Sequence, residues 1–97
     1  MPAYVIGHVD ITDPEGYKEY ASQTPACVER HGGRFLARGG RAEKLEGSVD
    51  PKRLVVIEFP SYEQAKSWYE SEDYRPLIPI RQRTADADML LVDGWDG

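Results

Sequence analysis

Residues 53–69, RLVVIEFPSYEQAKSWY, decide how this chain folds. The first seven residues are mostly apolar and β-branched, which is typical of a buried strand. Ser61 and Gln64 have the spacing of a capping box, which predicts a helix that begins directly after the strand. Trp68 lies on the apolar face of that helix, so we expect the helix to pack back over the strand. One residue departs from the apolar pattern, because Glu58 places a carboxylate inside the strand.

The length and composition of the chain restrict its class. Its 97 residues predict a single domain over residues 1–97. The 17 Asp and Glu outnumber the 12 Lys and Arg, which makes nucleic acid an unfavourable partner. Cys27 is the single cysteine, so an internal disulfide and a Cys-rich zinc site are excluded. No secretory leader or long apolar run is evident, and we expect a cytoplasmic protein without membrane contact.

Strand and helix signals alternate along the rest of the chain. The first half of the chain is predicted to form a strand over 3–11, a helix from Asp13–Pro14 to His31–Gly33 with a kink at Pro25, and a strand over 34–38 that residues 41–45 extend. The second half is predicted to form the strand over 53–59 and the helix after Ser61. A broken helix over 71–83, capped by Asp73, and a strand over roughly 88–93 follow.

This order predicts a ferredoxin-like α+β fold, βαββαβ, with a four-stranded antiparallel sheet and both helices on one face. Right-handed crossovers favour a central pair formed by the first and third strands, which we take as parallel with Val5 beside Val55. The sheet face away from the helices is too apolar to remain in water, and such patches usually mark interfaces. We therefore expect a homodimer with two sheets packed face to face. The apolar residues of that face are Tyr4, Ile6, Leu54 and Val56.

The chain also resembles a known family. The resemblance rests on four motifs in order, YVIGHVDITDPEGYKEY, HGGRFLARGG, RLVVIEFPSYEQAKSWYESEDYRPL and LLVDG. They are similar to the family called domain of unknown function 1330, in the dimeric α/β-barrel superfamily. The resemblance implies the fold and dimerisation but no activity. Superfamily relatives include cofactor-free monooxygenases, haem-degrading enzymes, small isomerases and stress-responsive proteins, so the fold is a poor guide to function.

Two polar residues of the predicted sheet, His8 and Glu58, are candidates for acid–base catalysis. In the parallel pairing they lie side by side on strands ~4.8 Å apart. The carboxylate would then hold one imidazole nitrogen and leave the other as a base or ligand. The alternative interpretation is structural: the pair sets the register of the dimer, or Glu58 forms a salt bridge with Arg38 or Arg41 on the next strand.

Arginines are the candidates for binding an anionic group. Arg38 ends a strand before two glycines, and its guanidinium suits a carboxylate ligand. A structural role as the partner of Glu58 is the alternative. Arg81 and Arg83 follow Pro79, where one of them could reach a pocket mouth, although solvent exposure is favoured for both.

A group of aromatic side chains in the helical regions is the candidate ligand-binding wall. Aromatic stripes at helical spacing usually form a core. Gly7 on the sheet beneath them nevertheless leaves room for a pocket between sheet and helices, which would suit a flat apolar ligand. These candidate ligand-binding residues are Tyr17, Tyr20, Trp68, Tyr69 and Tyr74.

No metal site or cofactor is predicted. His8 and His31 lack metal-binding spacing, and no glycine-rich phosphate loop is present. Two function classes remain: a cofactor-independent oxygenase or isomerase acting on a small aromatic or carbonyl compound, and a non-catalytic dimer that binds a ligand or responds to stress.

Overall fold

The computed structural model describes residues 1–96 and confirms the ferredoxin-like order. Its elements are β1 (Ala3–Ile11), α1 (Pro14–Arg30), β2 (Arg34–Arg38), β3 (Arg53–Phe59), α2 (Tyr62–Tyr69), α3 (Leu77–Thr84) and β4 (Ala85–Asp93). The strands form one sheet in the order β2-β3-β1-β4, and each neighbouring pair is antiparallel. None of the helices in this part of the chain is both long and apolar enough to span a membrane.

The parallel pairing expected for β1 and β3 is wrong. A crossover through α1 makes β1 and β2 run in the same direction, and the connection from β2 to β3 then reverses the chain. β3 therefore runs opposite to β1, and Val5 faces Ile57 instead of Val55. Because this pairing reverses the order of β3 residues along β1, it also changes which polar residues meet.

Several element boundaries differ from those predicted. Residues 41–45 do not continue β2, and β4 begins at Ala85 instead of near Asp88. Asp73 does not cap α3, whose N-cap is Pro76. The start of α1 agrees with the prediction, since the Asp13 carboxylate accepts a hydrogen bond from the Gly16 N–H at 3.2 Å.

The aromatic side chains of α2 and the following turn fill the space between the helices and one end of the sheet. Trp68, Tyr74 and Phe59 have no exposed surface. The ring centroids of Trp68 and Tyr74 are 4.2 Å apart, and those of Phe59 and Trp68 are 5.3 Å apart. This packing makes the Trp68 end of the molecule a closed core.

The other sheet face, which we call the outer face, consists of Tyr4, Ile6, Leu54, Val56, Leu90 and Val92 with their polar neighbours on β1, β3 and β4. Leu90 is 65% exposed and Val92 is 47% exposed. Ile6 lies directly opposite Val56 on one side and Leu90 on the other, so these apolar side chains form one continuous patch.

Candidate functional site

His8 and Glu58 share the outer face but lie at opposite ends of it. His8 is opposite Leu54, and Glu58 is opposite Tyr4, so four residues of strand, roughly 13 Å, separate the two positions. The His8 Nε2 accepts a hydrogen bond from the Lys52 N–H at 3.0 Å. The predicted catalytic pairing is therefore wrong, and its cause is the antiparallel register.

Glu58 has a different partner from either arginine suggested by the sequence. The Arg34 Nε donates to the Glu58 carboxylate at 2.7 Å, and Arg34 lies directly opposite Glu58 in the β2–β3 ladder. Neither Arg38 nor Arg41 occupies that position. Glu58 is thus an ion-paired residue of the outer face.

A cavity lies on the opposite side of the sheet, between α1, α3 and strands β1 to β4. Its empty space is about 390 Å³ when the open mouth is counted, and about 30 Å³ of this can hold the centre of a water molecule. This is room for one or two waters or for a single small polar group. We call it the arginine pocket, after its lining residues Arg38, Arg53 and Arg81, which stand beside Tyr17 and Tyr20.

Arg81 is the deepest of the three arginines. Its side chain belongs to α3, and the residue is 4% exposed. Its Nε is buried without a hydrogen-bond partner among residues 1–96. The guanidinium carbon lies 6.0 Å from the centroid of the Tyr20 ring, close enough for a cation–π interaction. A buried guanidinium with an unsatisfied donor is costly, and it indicates a partner that residues 1–96 do not supply.

Arg53 lies at intermediate depth, at the first position of β3. Side chains alternate along a strand, so Arg53 points to the same side of the sheet as Val55 and Ile57, which is the helix side. Its Nε is also buried and unpartnered, and its guanidinium carbon lies 5.8 Å from the Tyr17 ring centroid. Gly39 packs against this guanidinium and has a φ of +72°, so both the space and the backbone conformation at position 39 favour glycine.

Arg38 stands at the exposed mouth because of a β-bulge. The β2–β3 register shifts between Phe35 and Ala37, so Arg38 faces Val55 on the helix side. A regular ladder would have turned Arg38 to the outer face, because side chains alternate along a strand. The bulge therefore moves Arg38 away from Glu58 and into the pocket wall.

A proline in α1 provides the contact that holds Arg38. Pro25 has no N–H and cannot donate to the Ala21 carbonyl four residues earlier. The Arg38 Nη2 donates to that carbonyl instead, at 2.7 Å. The guanidinium carbon also lies 5.1 Å from the Phe35 ring centroid. Arg38 is thus fixed between α1 and β2 at the mouth of the pocket.

Residues 1–96 provide no ion-pair partner for these three arginines. The ion pairs among residues 1–96 involve other cations, and none joins Arg38, Arg53 or Arg81 to a carboxylate. No Asp, Glu, His or Cys lines the pocket. This is notable in a chain of net charge −5, where carboxylates are abundant. The pocket is therefore a concentrated positive site with hydrogen-bond donors and no base.

Tyr20 adds a neutral hydroxyl to the wall. Burial raises the pKa of Tyr20 despite the hydrogen bond from Tyr74 and the nearby Arg81 charge, which act in the opposite direction. The Tyr20 and Tyr74 hydroxyl oxygens are 2.5 Å apart. Only one proton lies between two such oxygens. When Tyr74 donates it, the Tyr20 hydroxyl is free to donate to a bound group.

The aromatic residues predicted to bind a ligand divide between three places. Tyr17 and Tyr20 line the arginine pocket, whereas Trp68 and Tyr74 belong to the closed core. Tyr69 is half-exposed and borders a separate depression near Leu91. The space expected above Gly7 is not open either, because the Met89 side chain occupies it.

One group of potential metal ligands is present elsewhere. Atoms of Cys27, His31 and Asp73 lie within 4.8 Å of one another. The Asp73 carboxylate already accepts hydrogen bonds from Arg30 at 3.0 Å and interacts with His31 at 3.2 Å, and Arg30 is the main cause of its lowered pKa. Burial raises the pKa of the Cys27 thiol. We assign the group to fastening α1 to the α2–α3 turn.

Sequence reasoning missed Arg53. It considered Arg81 for a pocket mouth but favoured solvent exposure, which is wrong because Arg81 is buried. Both residues have a signal in the sequence. Arg53 has the parity of the inward-facing residues of β3. Arg81 lies four residues after Leu77 and three before Thr84, and all three are buried on one face of α3. Arg83, considered together with Arg81, is exposed.

Comparisons with known proteins support the fold. The profile of the family described as Domain of unknown function (DUF1330) matches residues 2–95, and no curated protein matches. The RPA0582 protein of unknown function from Rhodopseudomonas palustris has a TM-score of 0.78 and 19% identity, over 99% of this chain and 84% of that chain. SnoaB, a cofactor-independent oxygenase from Streptomyces nogalater, has a TM-score of 0.69 and 10% identity, over 99% of this chain and 95% of that chain. An antibiotic biosynthesis monooxygenase has a TM-score of 0.54 and 20% identity, over 98% of this chain and 99% of that chain.

Proposed function

This chain belongs to the DUF1330 family of domains of unknown function, and we propose that it binds a small aromatic or carbonyl compound in the arginine pocket. The observation that carries this proposal is the pair of buried guanidinium nitrogens, Arg53 Nε and Arg81 Nε, which have no acceptor among residues 1–96. Native proteins satisfy most buried donors with protein atoms, water or a ligand. An acceptor group of a bound ligand is the partner that we propose for them.

The walls of the pocket favour an organic ligand. Apolar side chains, including Val55, Ile57 and Met89, stand beside the tyrosine rings. Pockets for small organic molecules commonly combine such walls with a few converging polar groups. The small closed part of the cavity suits the polar end of the ligand, and the remainder of the molecule would lie at the open mouth.

A cofactor-independent oxygenase or isomerase is the second candidate function, and the structural similarity to SnoaB favours it. The guanidinium groups and the Tyr20 hydroxyl would stabilise an oxyanion that forms on a bound carbonyl compound. Such a reaction also needs a proton acceptor. No Asp, Glu, His or Cys lines the pocket, and His8 lies on the other sheet face. Ligand binding therefore accounts for more of the site than catalysis does. A non-catalytic dimer that binds a ligand or responds to stress needs no proton acceptor, so the arginine pocket is compatible with that alternative as well.

We also propose that the protein forms a homodimer through the outer face, where two sheets pack together. The continuous patch around Ile6, Val56 and Leu90 supports this arrangement. We expect Leu90→Asp to convert the dimer to a monomer, because two copies of the patch would each place a carboxylate in an apolar interface. Sedimentation equilibrium measures this change. The matched control is Tyr62→Asp on the helix side, which should leave the mass unchanged, and a monomeric parent protein would contradict the proposal.

A thermal-shift screen tests the binding proposal. We expect benzaldehyde, benzamide or benzoate to raise the melting temperature, since a ligand at a hundredfold excess over its Kd stabilises the native state by about 2.7 kcal/mol. Ala21→Leu should abolish the shift, because Ala21 lines the pocket and a larger side chain would fill it. The exposed neighbour Ser22 provides the control, Ser22→Leu. A shift that survives Ala21→Leu would place the ligand elsewhere.

A further inference from the structure

We propose that the group recognised in the arginine pocket is the carboxylate of a small organic acid, an inference that rests on the small-molecule binding proposed above. A neutral carbonyl oxygen would satisfy the unpartnered donors but would leave the charges uncompensated. A carboxylate supplies hydrogen-bond acceptors and also the negative charge that a neutral ligand lacks.

The arginine pocket concentrates positive charge. Three guanidinium groups line one cavity, and none of them is ion-paired to an Asp or Glu of the described chain. Like charges in one small site repel each other. A bound anion would convert this repulsion into attraction at each arginine.

The three arginines are buried to different degrees. Arg81 is 4% exposed, Arg53 is half-buried and Arg38 is exposed at the mouth. Water screens Arg38 well and Arg81 poorly. The compensating charge is therefore needed most near Arg81, in a pocket that has room for a single small group.

The shape and chemistry of the pocket favour a carboxylate on an apolar body. Guanidinium groups bind planar carboxylates through paired, charge-assisted hydrogen bonds. Tyr20 lines the same pocket, and its hydroxyl has a proton free to donate when Tyr74 donates to it. Phosphate shares this affinity for arginine, but inorganic phosphate would gain nothing from the tyrosine rings and the aliphatic walls. An acid with an apolar body uses both parts of the site.

Isothermal titration calorimetry with three probes tests the inference. Sodium benzoate, benzamide and inorganic phosphate are titrated into the wild-type protein at pH 7 and constant ionic strength. We expect benzoate to bind at least about tenfold more tightly than benzamide, which has the same ring but no charge, since charge-assisted hydrogen bonds are about twice as strong as neutral ones. Phosphate should bind more weakly than benzoate.

Arginine variants assign the effect to the pocket. Arg53→Gln and Arg38→Gln should each weaken benzoate binding by about tenfold or more and leave benzamide binding nearly unchanged. Arg83→Gln on the exposed side of α3 is the control with the same change of charge. Arg38 is exposed, so its variant remains informative if Arg53→Gln fails to fold.

Each outcome has a defined meaning. Equal binding of benzoate and benzamide, both lost in Ala21→Leu, would overturn the inference and leave the small-molecule proposal intact. Binding of phosphate alone would overturn the choice of an organic acid. Absence of binding by all three probes would overturn the inference, and the proposed function would then fail as well if benzaldehyde also gave no thermal shift.

Discussion

Replacing Arg81 with methionine is expected to make the ligand-free protein more stable while abolishing benzoate binding. Arg81 carries a charge that is nearly removed from water, and its Nε has no hydrogen-bond partner in the described chain. Replacing buried charged groups by apolar side chains of similar size often raises stability, here by about 1–3 kcal/mol. Methionine is unbranched and adapts to irregular space, so it can occupy the volume of the arginine stem.

The gain is limited by the cation–π contact of Arg81 with Tyr20, which contributes about 0.5–2 kcal/mol and is lost in the variant. Urea denaturation at equal protein concentration measures the change, since the stability of the proposed dimer would depend on concentration. Calorimetry should show benzoate affinity lower by at least about thirtyfold, because the deepest charge of the pocket is gone.

Arg83→Met is the matched control for this prediction. Arg83 belongs to the same helix, two residues later, but is exposed. Its replacement should change stability by no more than about 0.5 kcal/mol and leave benzoate binding intact. An Arg81→Met variant that is less stable than the wild type by more than the cation–π term would show that the chain itself satisfies the buried guanidinium. The arginine pocket would then be a structural feature.

The sequence was sufficient for the fold because its local signals agree with one another. The Asp13 cap, the Ser61 cap and the alternation of β1 each appear in the structure as predicted. The direction of the central strands is a different kind of property, because it depends on topology and not on local pattern. A chain reversal between β2 and β3 determines that His8 and Glu58 lie far apart. Residue types on the two strands contain no information about that distance.

The candidate site was less predictable, for reasons that differ between its arginines. The alternation of β3, which puts Arg53 on the side of Val55 and Ile57, and the helical spacing of Arg81 from Leu77 were signals that the sequence interpretation did not use. Arg38 is the opposite case, because its parity with Arg34 predicts the outer face. The extra residue of the bulge in β2 turns the Arg38 side chain to the helix side instead. The bulge lies between Phe35 and Ala37, before glycines 39 and 40, so no glycine marks its position in the sequence. Its position emerges from the pairing of β2 with β3.

The burial of an unpaired charge was also beyond the sequence. An arginine on a short helix is usually exposed, and its long stem allows the charge to reach water. Arg81 is buried because α1, α3 and the sheet enclose it together, with Tyr20 against its guanidinium. Sites where a folded chain departs from such local expectations are often functional. This departure is the physical reason for placing the ligand at Arg81 and not at the sheet histidine.

Pro25→Ala is the second variant with a large expected effect, again with stability and binding changing in opposite directions. Proline in a helix interior is about 3 kcal/mol less favourable than alanine, which sets an upper limit on the gain. The structure already contains a substitute hydrogen bond, from the Arg38 Nη2 to the Ala21 carbonyl, so we expect a gain of about 1–2 kcal/mol. The new N–H at position 25 would compete with Arg38 for that carbonyl.

Loss of this contact should release Arg38 from the mouth of the pocket. We expect benzoate affinity to fall by about threefold to tenfold, because an unrestrained arginine loses side-chain entropy when it binds the ligand. Pro79→Ala is the control. Pro79 lies in the first turn of α3, where a missing N–H costs little, so its replacement should leave benzoate affinity unchanged.

A double-mutant cycle with Arg38→Gln shows whether Pro25 acts through Arg38. If it does, Pro25→Ala weakens benzoate binding in the wild-type background and has no further effect when Arg38 is absent, so the two changes are not additive. Additive losses would mean that Pro25 shapes the pocket through α1 as a whole. Because the expected stability gain is independent of Arg38's role in binding, urea denaturation of the same variants separates a loss of affinity from a loss of folded protein.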